Sequence, residues 1–316
     1  MHSHSPFQPL QNLFARVVLM FADVYFKYTP LKTGKGRICG YIALLLRRLG
    51  RLDAQLMPMN FEHHRVNLWI PPCSGVGVFV RLIGAYEFPE IARCVRSLSK
   101  RTRPVFLDVG ANCGIYTTVV AVTCPNARVI AVEAAPDVAA LLRNTISENR
   151  AFISPNDATV EIIESALSDQ DGKTVFNRSW DNGLGSVHGV EASPRDSITV
   201  PTKPGDHLLV ELGVDSVDFL KIDVEGGEML VLQGFTESLQ RGKIRQLQIE
   251  LNKKLDQHKS HNNQDVLNFL RTHGYGLCSE SKNKFEANHW LCENFVFEPL
   301  AGSSQDRLPS APSTLD

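Results

Sequence analysis

Apolar positions along this chain fall into short β-compatible runs separated by longer stretches of helical period. Val105-Phe106-Leu107-Asp108-Val109 is one such run. It breaks at Gly110-Ala111-Asn112-Cys113-Gly114 and resumes as Ile115 to Ala121, which reads as strand, tight turn and helix. Ala127 to Val132 predicts a second strand ending at Glu133. Asp137 to Glu148 predicts a helix with Val138, Leu141, Leu142 and Ile146 on one face. Thr159 to Ile163 and Phe219 to Ile222 add strands, as does Gln246 to Ile249 before Glu250. Asn263 to His273 follows as a helix, and Tyr275 to Cys278 and Asn294 to Phe297 as closing strands. Strands alternating with helices predict an α/β, doubly wound, mostly parallel sheet.

The flanking pattern is less regular. Leu10 to Tyr28 is apolar-rich, but Gln11, Asn12, Arg16, Asp23 and Lys27 interrupt it. With no unbroken span of about 20 apolar residues, neither a transmembrane helix nor a cleaved signal peptide is expected. Tyr41 to Leu49 is helical in pattern, with Arg47-Arg48 in its last turn and Gly50 as a stop. Between Phe61 and Leu82, Val66 to Ile70 and Val76 to Val80 predict a β-hairpin around Pro71 to Gly75. Gly84-Ala85-Tyr86-Glu87 then leads into a helix over Glu90 to Leu98, a cap before the first strand. Asp171-Gly172 predicts a turn into an extra hairpin through Lys173 to Phe176. Asp181 to Ser186, beside Trp180 and His188, predicts a mobile Gly-rich loop, and Ser281 to His289 a polar loop. The expected organisation is a helical extension (1–60), a hairpin-and-helix cap (61–104), the sheet domain (105–300) and a disordered Ser/Pro-containing tail (301–316).

Composition narrows the partners. The 316 residues are 43% apolar and 21% charged with a formal net charge of −1, which gives no electrostatic case for nucleic acid. Seven cysteines, odd in number and without a C-x-x-C pair, fit a reduced cytoplasmic setting. The basic, amphipathic N-terminal helices suit packing on the main domain, a homodimer contact or a peripheral membrane contact.

The chemistry concentrates at strand ends. Gly110 and Gly114 allow a sharp turn and close ligand approach, and open amides at the following helix attract negative charge. Asn112 stands where a dinucleotide fingerprint needs its second glycine, and Asp108 would repel a phosphate; this argues against a nicotinamide enzyme. S-adenosylmethionine fits instead, having an amino group, a carboxylate, a sulfonium and no phosphate. Glu133, 25 positions after Asp108, is near the ~20-residue offset of a ribose-binding acid. Ser165 and Ala166, after the third strand, are placed for an adenine edge. Phe219 to Glu228 repeats the strand, carboxylate, glycine and helix order, and strand alternation carried past Ile222 would put Asp223 and Glu225 on one side. Asp223, Glu225 and Glu250 are the acids available to a hydroxyl acceptor, with Tyr86, Glu87 and His188 as substrate contacts and His188 and His258 as weaker candidates for the base. Three carboxylates suit a divalent metal, but without tight ligand spacing a metal is not the favoured reading.

Together these residues resemble the FkbM family of S-adenosylmethionine-dependent methyltransferases. The resemblance runs from about Gly84 to Tyr275: Gly-x-Tyr-Glu at Gly84 to Glu87, Asp-Val-Gly-Ala-Asn-x-Gly-x-Tyr-Thr at Asp108 to Thr117, Glu133 with Pro136, Ala-Leu-Ser-Asp at Ala166 to Asp169, and Lys-Ile-Asp-Val-Glu-Gly-x-Glu at Lys221 to Glu228. It departs in reading Val-Glu-Ala-Ala-Pro where the family often has Phe-Glu-Pro. The resemblance implies a Rossmann-like class I fold, usually a seven-stranded sheet, and O-methylation of a glycan or small natural-product hydroxyl. It also implies cofactor contacts from Asp108, Gly110, Ala111, Asn112, Gly114, Thr117, Glu133, Ser165, Ala166 and Asp223. A catalytically inactive cofactor-binding relative is the alternative.

Overall fold

The computed structural model describes residues 8–28, 35–49, 52–177, 197–252, 262–287 and 292–300. The Gly-rich run, Trp180, His188, His258 and the tail lie outside the described residues.

In chain order, helices α1 (Gln8–Tyr28) and α2 (Lys35–Leu49) precede strands β1 (Gln55–Phe61) and β2 (His64–Ile70) and helices α3 (Gly75–Ile83) and α4 (Phe88–Leu98). Then come β3 (Val105–Val109), α5 (Ile115–Thr123), β4 (Arg128–Glu133), α6 (Pro136–Glu148), the one-turn α7 (Arg150–Ile153) and β5 (Thr159–Glu164). A smaller unit follows: β6 (Ala166–Leu167), β7 (Gly172–Asn177) and β8 (Ser197–Lys203). The chain continues through α8 (Gly205–Glu211), β9 (Phe219–Ile222), α9 (Glu228–Gly234), α10 (Thr236–Gln240), β10 (Leu247–Asn252), α11 (Asn263–Thr272), β11 (Tyr275–Leu277), α12 (Ser279–Ala287) and β12 (Cys292–Pro299).

The main sheet has seven strands in the order β11-β12-β10-β9-β3-β4-β5. Neighbouring strands from β10 to β5 are parallel, and β12 is antiparallel to both of its neighbours. This is the expected doubly wound, mostly parallel sheet. Its two faces are separate cores, as period-2 alternation requires. Leu107, Val109, Leu220, Ile222, Leu247 and Ile249 pack with residues of α8, α9 and α11. Phe106, Val129 and Phe219 face the other way, with residues of α4, α5 and the β1–β2 hairpin.

Two elements differ from the sequence reading. The hairpin is formed by β1 and β2, with Met59 opposite Val66 and Met57 opposite Leu68. Val76 to Val80 belongs to helix α3. Ser74 caps this helix by accepting from the Gly77 amide at 2.9 Å, and Gly84 ends it in the left-handed conformation at φ 76°. The alternation misleads because α3 is buried on two sides: Val76 and Val80 join the hairpin core, while Val78 meets Ala15, Leu19 and Leu46 of α1 and α2. Likewise, the polar loop expected over Ser281 to His289 lies, as far as its described residues to Ala287 go, within helix α12; Ser281 is buried in it and its hydroxyl accepts from the Val296 amide.

Arg81 of α3 pairs with Asp23 of α1 at 2.7 Å, holding the N-terminal helices against α3. Cys39, Cys73, Cys94, Cys113, Cys124 and Cys278 are free thiols. Among the described residues, no helix is long and apolar enough to cross a membrane.

Candidate active site

The site grows from polar positions interrupting the apolar strands. Register places Asp108 of β3 beside Lys221 of β9, and Lys221 beside Gln248 of β10. The three therefore form a polar row on one sheet face, and Glu250 continues it toward the carboxyl end of β10. Lys221 is buried, with its Nζ 3.0 Å from Asp223 Oδ2 and 3.8 Å from Asp108 Oδ1. Burial alone would lower its pKa, but the Asp223, Asp108 and Glu87 carboxylates raise it, so the ammonium stays charged. Its Nζ also lies 4.9 Å from the centre of the Tyr116 ring.

The turn after β3 is closed by its own carboxylates. Asp108 is fully buried, which raises its pKa. Its Oδ2 accepts from Thr117 Oγ1 at 2.7 Å and from the Thr117 amide at 3.2 Å, tying strand to helix. Glu133, at the end of β4, accepts from the Asn112 amide at 2.9 Å through Oε2 and from the Ala135 amide at 2.9 Å through Oε1. Burial raises its pKa to about 7. Asn112 sits at φ 52°, a region asparagine tolerates better than most residues, and its Oδ1 caps the Cys113 amide at 2.7 Å. Gly110 is required by space as well as by its φ of 78°, since a Cβ there would lie 1.9 Å from the Asp223 carbonyl oxygen.

That contact joins the first turn to the second. Strand β9 stops at Ile222, so Glu225 is not placed by strand alternation. A turn with Glu225 at φ 52° and Gly226 at φ 119° brings it around. Glu228, buried at the start of α9, closes this turn by accepting from the Gly226 amide at 2.7 Å. The outcome is a cluster in which one carboxylate oxygen from each of Asp223, Glu225 and Glu250 lies within 4.8 Å of the other two. Such a grouping can accept hydrogen bonds from hydroxyls, or hold a cation.

Glu87 and Tyr86 face this cluster from the segment before α4. Tyr116 donates to Glu87 Oε2 at 2.9 Å, and Gln248 Nε2 donates to the Tyr116 oxygen and to Asn294 Oδ1, each at 3.0 Å. Burial, with Asp223 adding to it, raises the Glu87 pKa to about 7. Burial and the surrounding Glu87, Asp223, Glu250 and Glu225 carboxylates also hold the Tyr86 phenol well above its ordinary value.

The structure thus brings Asp108, Gly110, Ala111, Asn112, Gly114, Thr117, Glu133 and Asp223 to the two adjoining turns, with Tyr86, Glu87, Glu225 and Glu250 beside them. Ser165 and Ala166 are buried after β5, where the Ser165 hydroxyl donates to the Ala166 and Pro201 carbonyls; the side chain thus serves the seam with the small sheet. Sequence reasoning missed Lys221, Tyr116, Gln248 and Asn294. The available signal was a lone polar residue inside each of two apolar strands, Asp108 and Lys221, and polar Gln248 alternating with leucine and isoleucine in β10.

Comparison with known proteins adds relatives to this geometry. The Methyltransferase FkbM domain profile matches residues 108–277. The chain is 27% identical over 165 residues to 2-O-methyltransferase NoeI of Sinorhizobium fredii, covering 48% of this chain and 65% of that one. It is 34% identical over 136 residues to hexuronic acid methyltransferase AglP of Haloferax volcanii, covering 43% and 52%. A crystal structure of methyltransferase FkbM from Methylobacillus flagellatus aligns over 62% of this chain and 43% of that one, at 18% identity and a TM-score of 0.41. The chain spans less than two thirds of each of these relatives.

Proposed function

This chain belongs to the FkbM methyltransferase domain family, and from that premise we propose that it transfers a methyl group from S-adenosylmethionine to a hydroxyl of a sugar or sugar-like acceptor. The observation that carries the reading is the carboxylate cluster of Asp223, Glu225 and Glu250 at the strand end adjoining the Gly110 turn. The curated relatives support the acceptor class, one being a 2-O-methyltransferase and the other acting on hexuronic acid.

The residues fit the cofactor. Glu133 uses two of about four acceptor positions on its carboxylate for backbone amides, leaving capacity for two ribose hydroxyls. Gly110, Ala111, Asn112 and Gly114 give a close backbone approach, and Asp108 with Thr117 fixes the shape of that turn. Ser165 and Ala166 supply backbone for an adenine edge. The cofactor contributes an electrophilic methyl; the chain must align an oxygen with it and accept a proton. Lys221 anchors Asp223, which with Glu225 and Glu250 grips the acceptor hydroxyls. Glu87, with its pKa at about 7 and its position facing Asp223, is suited to take the proton at neutral pH.

Incubation with methyl-labelled S-adenosylmethionine and a panel of uronic acids, hexoses and glycans tests the reading. Transfer to at least one sugar is expected, with kcat rising through pH about 7 in the parent and losing that step in Glu87→Gln. Labelling of no sugar, with the cofactor bound, would support an inactive cofactor-binding protein. The same carboxylates lie close enough to share a divalent cation. Chelator treatment separates the two uses: activity persists if they act only as hydrogen-bond acceptors and is lost if a cation is required.

A further inference from the structure

Helix α1 carries two apolar faces, and the fold uses one. Ala15, Leu19, Ala22 and Phe26 are buried, and Ala15, Leu19 and Phe26 join the core shared with α2 and α3. On the opposite side, Leu10, Leu13, Phe14, Met20, Phe21, Val24, Tyr25 and Tyr28 are exposed, Phe21 by 64% and Tyr28 by 72%. With half-buried Val17 they recur every three or four residues, covering roughly 140° of the helix at about 3.6 residues per turn. The stripe is continuous from one end of α1 to the other. Tyr41, Leu44 and Leu45 of α2 are exposed as well.

Charge identifies what covers this face. Residues 1–51 contain eight Lys or Arg and a single acid, Asp23, leaving 25 Lys or Arg and 33 Asp or Glu in the remainder. The N-terminal part is therefore +7 and the rest −8 within a chain of net −1. Asp23 is already paired with Arg81. Arg16 and Lys27 are exposed on α1 and Arg37 on α2. A second copy seated on the face would set Arg16, Lys27 and Arg37 against their own counterparts. An anionic lipid surface answers both the apolar stripe and the charge, and it repels the acidic remainder of the molecule, which orients the chain.

We propose that the exposed face of α1 docks the protein on an anionic phospholipid bilayer, lying in the interface with Phe14, Met20, Phe21 and Val24 inserted and the basic residues at headgroup level. The pairing of Asp23 with Arg81 and the packing on Val78 attach this helix to α3, so docking fixes the whole molecule at the surface. Aromatic and aliphatic side chains supply the insertion and the cations the lipid selectivity. The inference is independent of the reaction proposed above.

Co-sedimentation of the full chain with vesicles of phosphatidylcholine alone, or with about 30% phosphatidylglycerol, tests it. Partition at least about tenfold stronger onto the anionic vesicles is expected, weakening as salt rises from about 0.05 to 0.5 M. Phe14→Glu/Phe21→Glu should lower it by about tenfold or more, and Arg16→Glu/Lys27→Glu by roughly fivefold per cation. All four positions are exposed, so thermal midpoints should stay near the parent's, and the charge-reversal pair keeps the test valid if the Phe variant fails to fold. No binding to anionic vesicles, equal binding to both vesicle types, or parent-like binding by the folded variants would overturn the proposal. So would a stable dimer in light scattering that Phe14→Glu/Phe21→Glu dissolves, since the face would then serve self-association.

Discussion

The turns after β3 and β9 are made of the same parts, and they engage their acids differently. Each follows an apolar strand, holds glycine at positive φ and leads into a helix. In the first turn the carboxylates are absorbed by the fold: Asp108 is tied to Thr117, and Glu133 to two amides. In the second, three carboxylates converge and Glu225 sits at φ 52°. A residue other than glycine is held in that region only where surrounding structure over-determines it. The first turn spends its hydrogen-bonded carboxylate oxygens on shape, with Asp108 Oδ1 left without a hydrogen bond 3.8 Å from Lys221 Nζ; the second gathers three acids at one crevice. On the function proposed above, like strand-turn-helix units divide holding from reacting.

The sharpest way to break the comparison is at the joint. Gly110→Ala would press a Cβ against the Asp223 carbonyl and leave alanine at φ 78°, so it should disrupt both turns together. A loss of at least about 2 kcal/mol of stability is expected in chemical denaturation, with binding and turnover falling in parallel. Asp223→Asn acts chiefly on the second turn, reaching the first only through Lys221, which also lies 3.8 Å from Asp108. It should lower kcat on the order of 10²-fold while the affinity for S-adenosylhomocysteine changes little, read by steady-state kinetics beside a binding titration.

Glu133→Gln does the reverse, weakening adenosyl-ligand binding about ten- to a hundredfold with a smaller effect on kcat at saturation. Its pH signature has a definite sign. The folded value of about 7 lies above the ordinary 4.5, so the folded chain holds this proton more tightly than the unfolded one. The associated stability is full below about 4.5 and is lost as pH rises through about 7; thermal melts of Glu133→Gln should lack that part of the decline. Ligand affinity in the parent should rise over the same range as the carboxylate ionises. Ser165→Ala is the mildest change. Removing a hydroxyl that serves two carbonyls should cost about 1 kcal/mol in denaturation and leave binding within a few-fold of the parent.

The parallel strands were legible because buried parallel sheets write themselves as short apolar runs, and Asp108, Glu133 and Asp223 could be read as carboxylates at their ends. The helix α3 was not, because a helix buried on two sides presents valines at every other position and imitates a strand. Glu225 entered the site for a reason the pattern did not contain: the strand ended early, and a left-handed turn supplied the placement. Lys221 and Gln248 carried no role in the sequence reading because their meaning lies in register. Only when β3, β9 and β10 are side by side do Asp108, Lys221 and Gln248 become a row under the site. Periodicity within one strand cannot reveal its neighbours.

Calorimetric titration of the full chain with S-adenosylmethionine, S-adenosylhomocysteine and NAD tests the central claim most directly, because it asks whether the cradle after β3 is a cofactor site. Micromolar binding of both adenosyl ligands, weakened in Glu133→Gln and absent for NAD, is the expected result. The absence of heat with either adenosyl ligand, or comparable binding of NAD, would contradict the account and leave the first turn a structural element only.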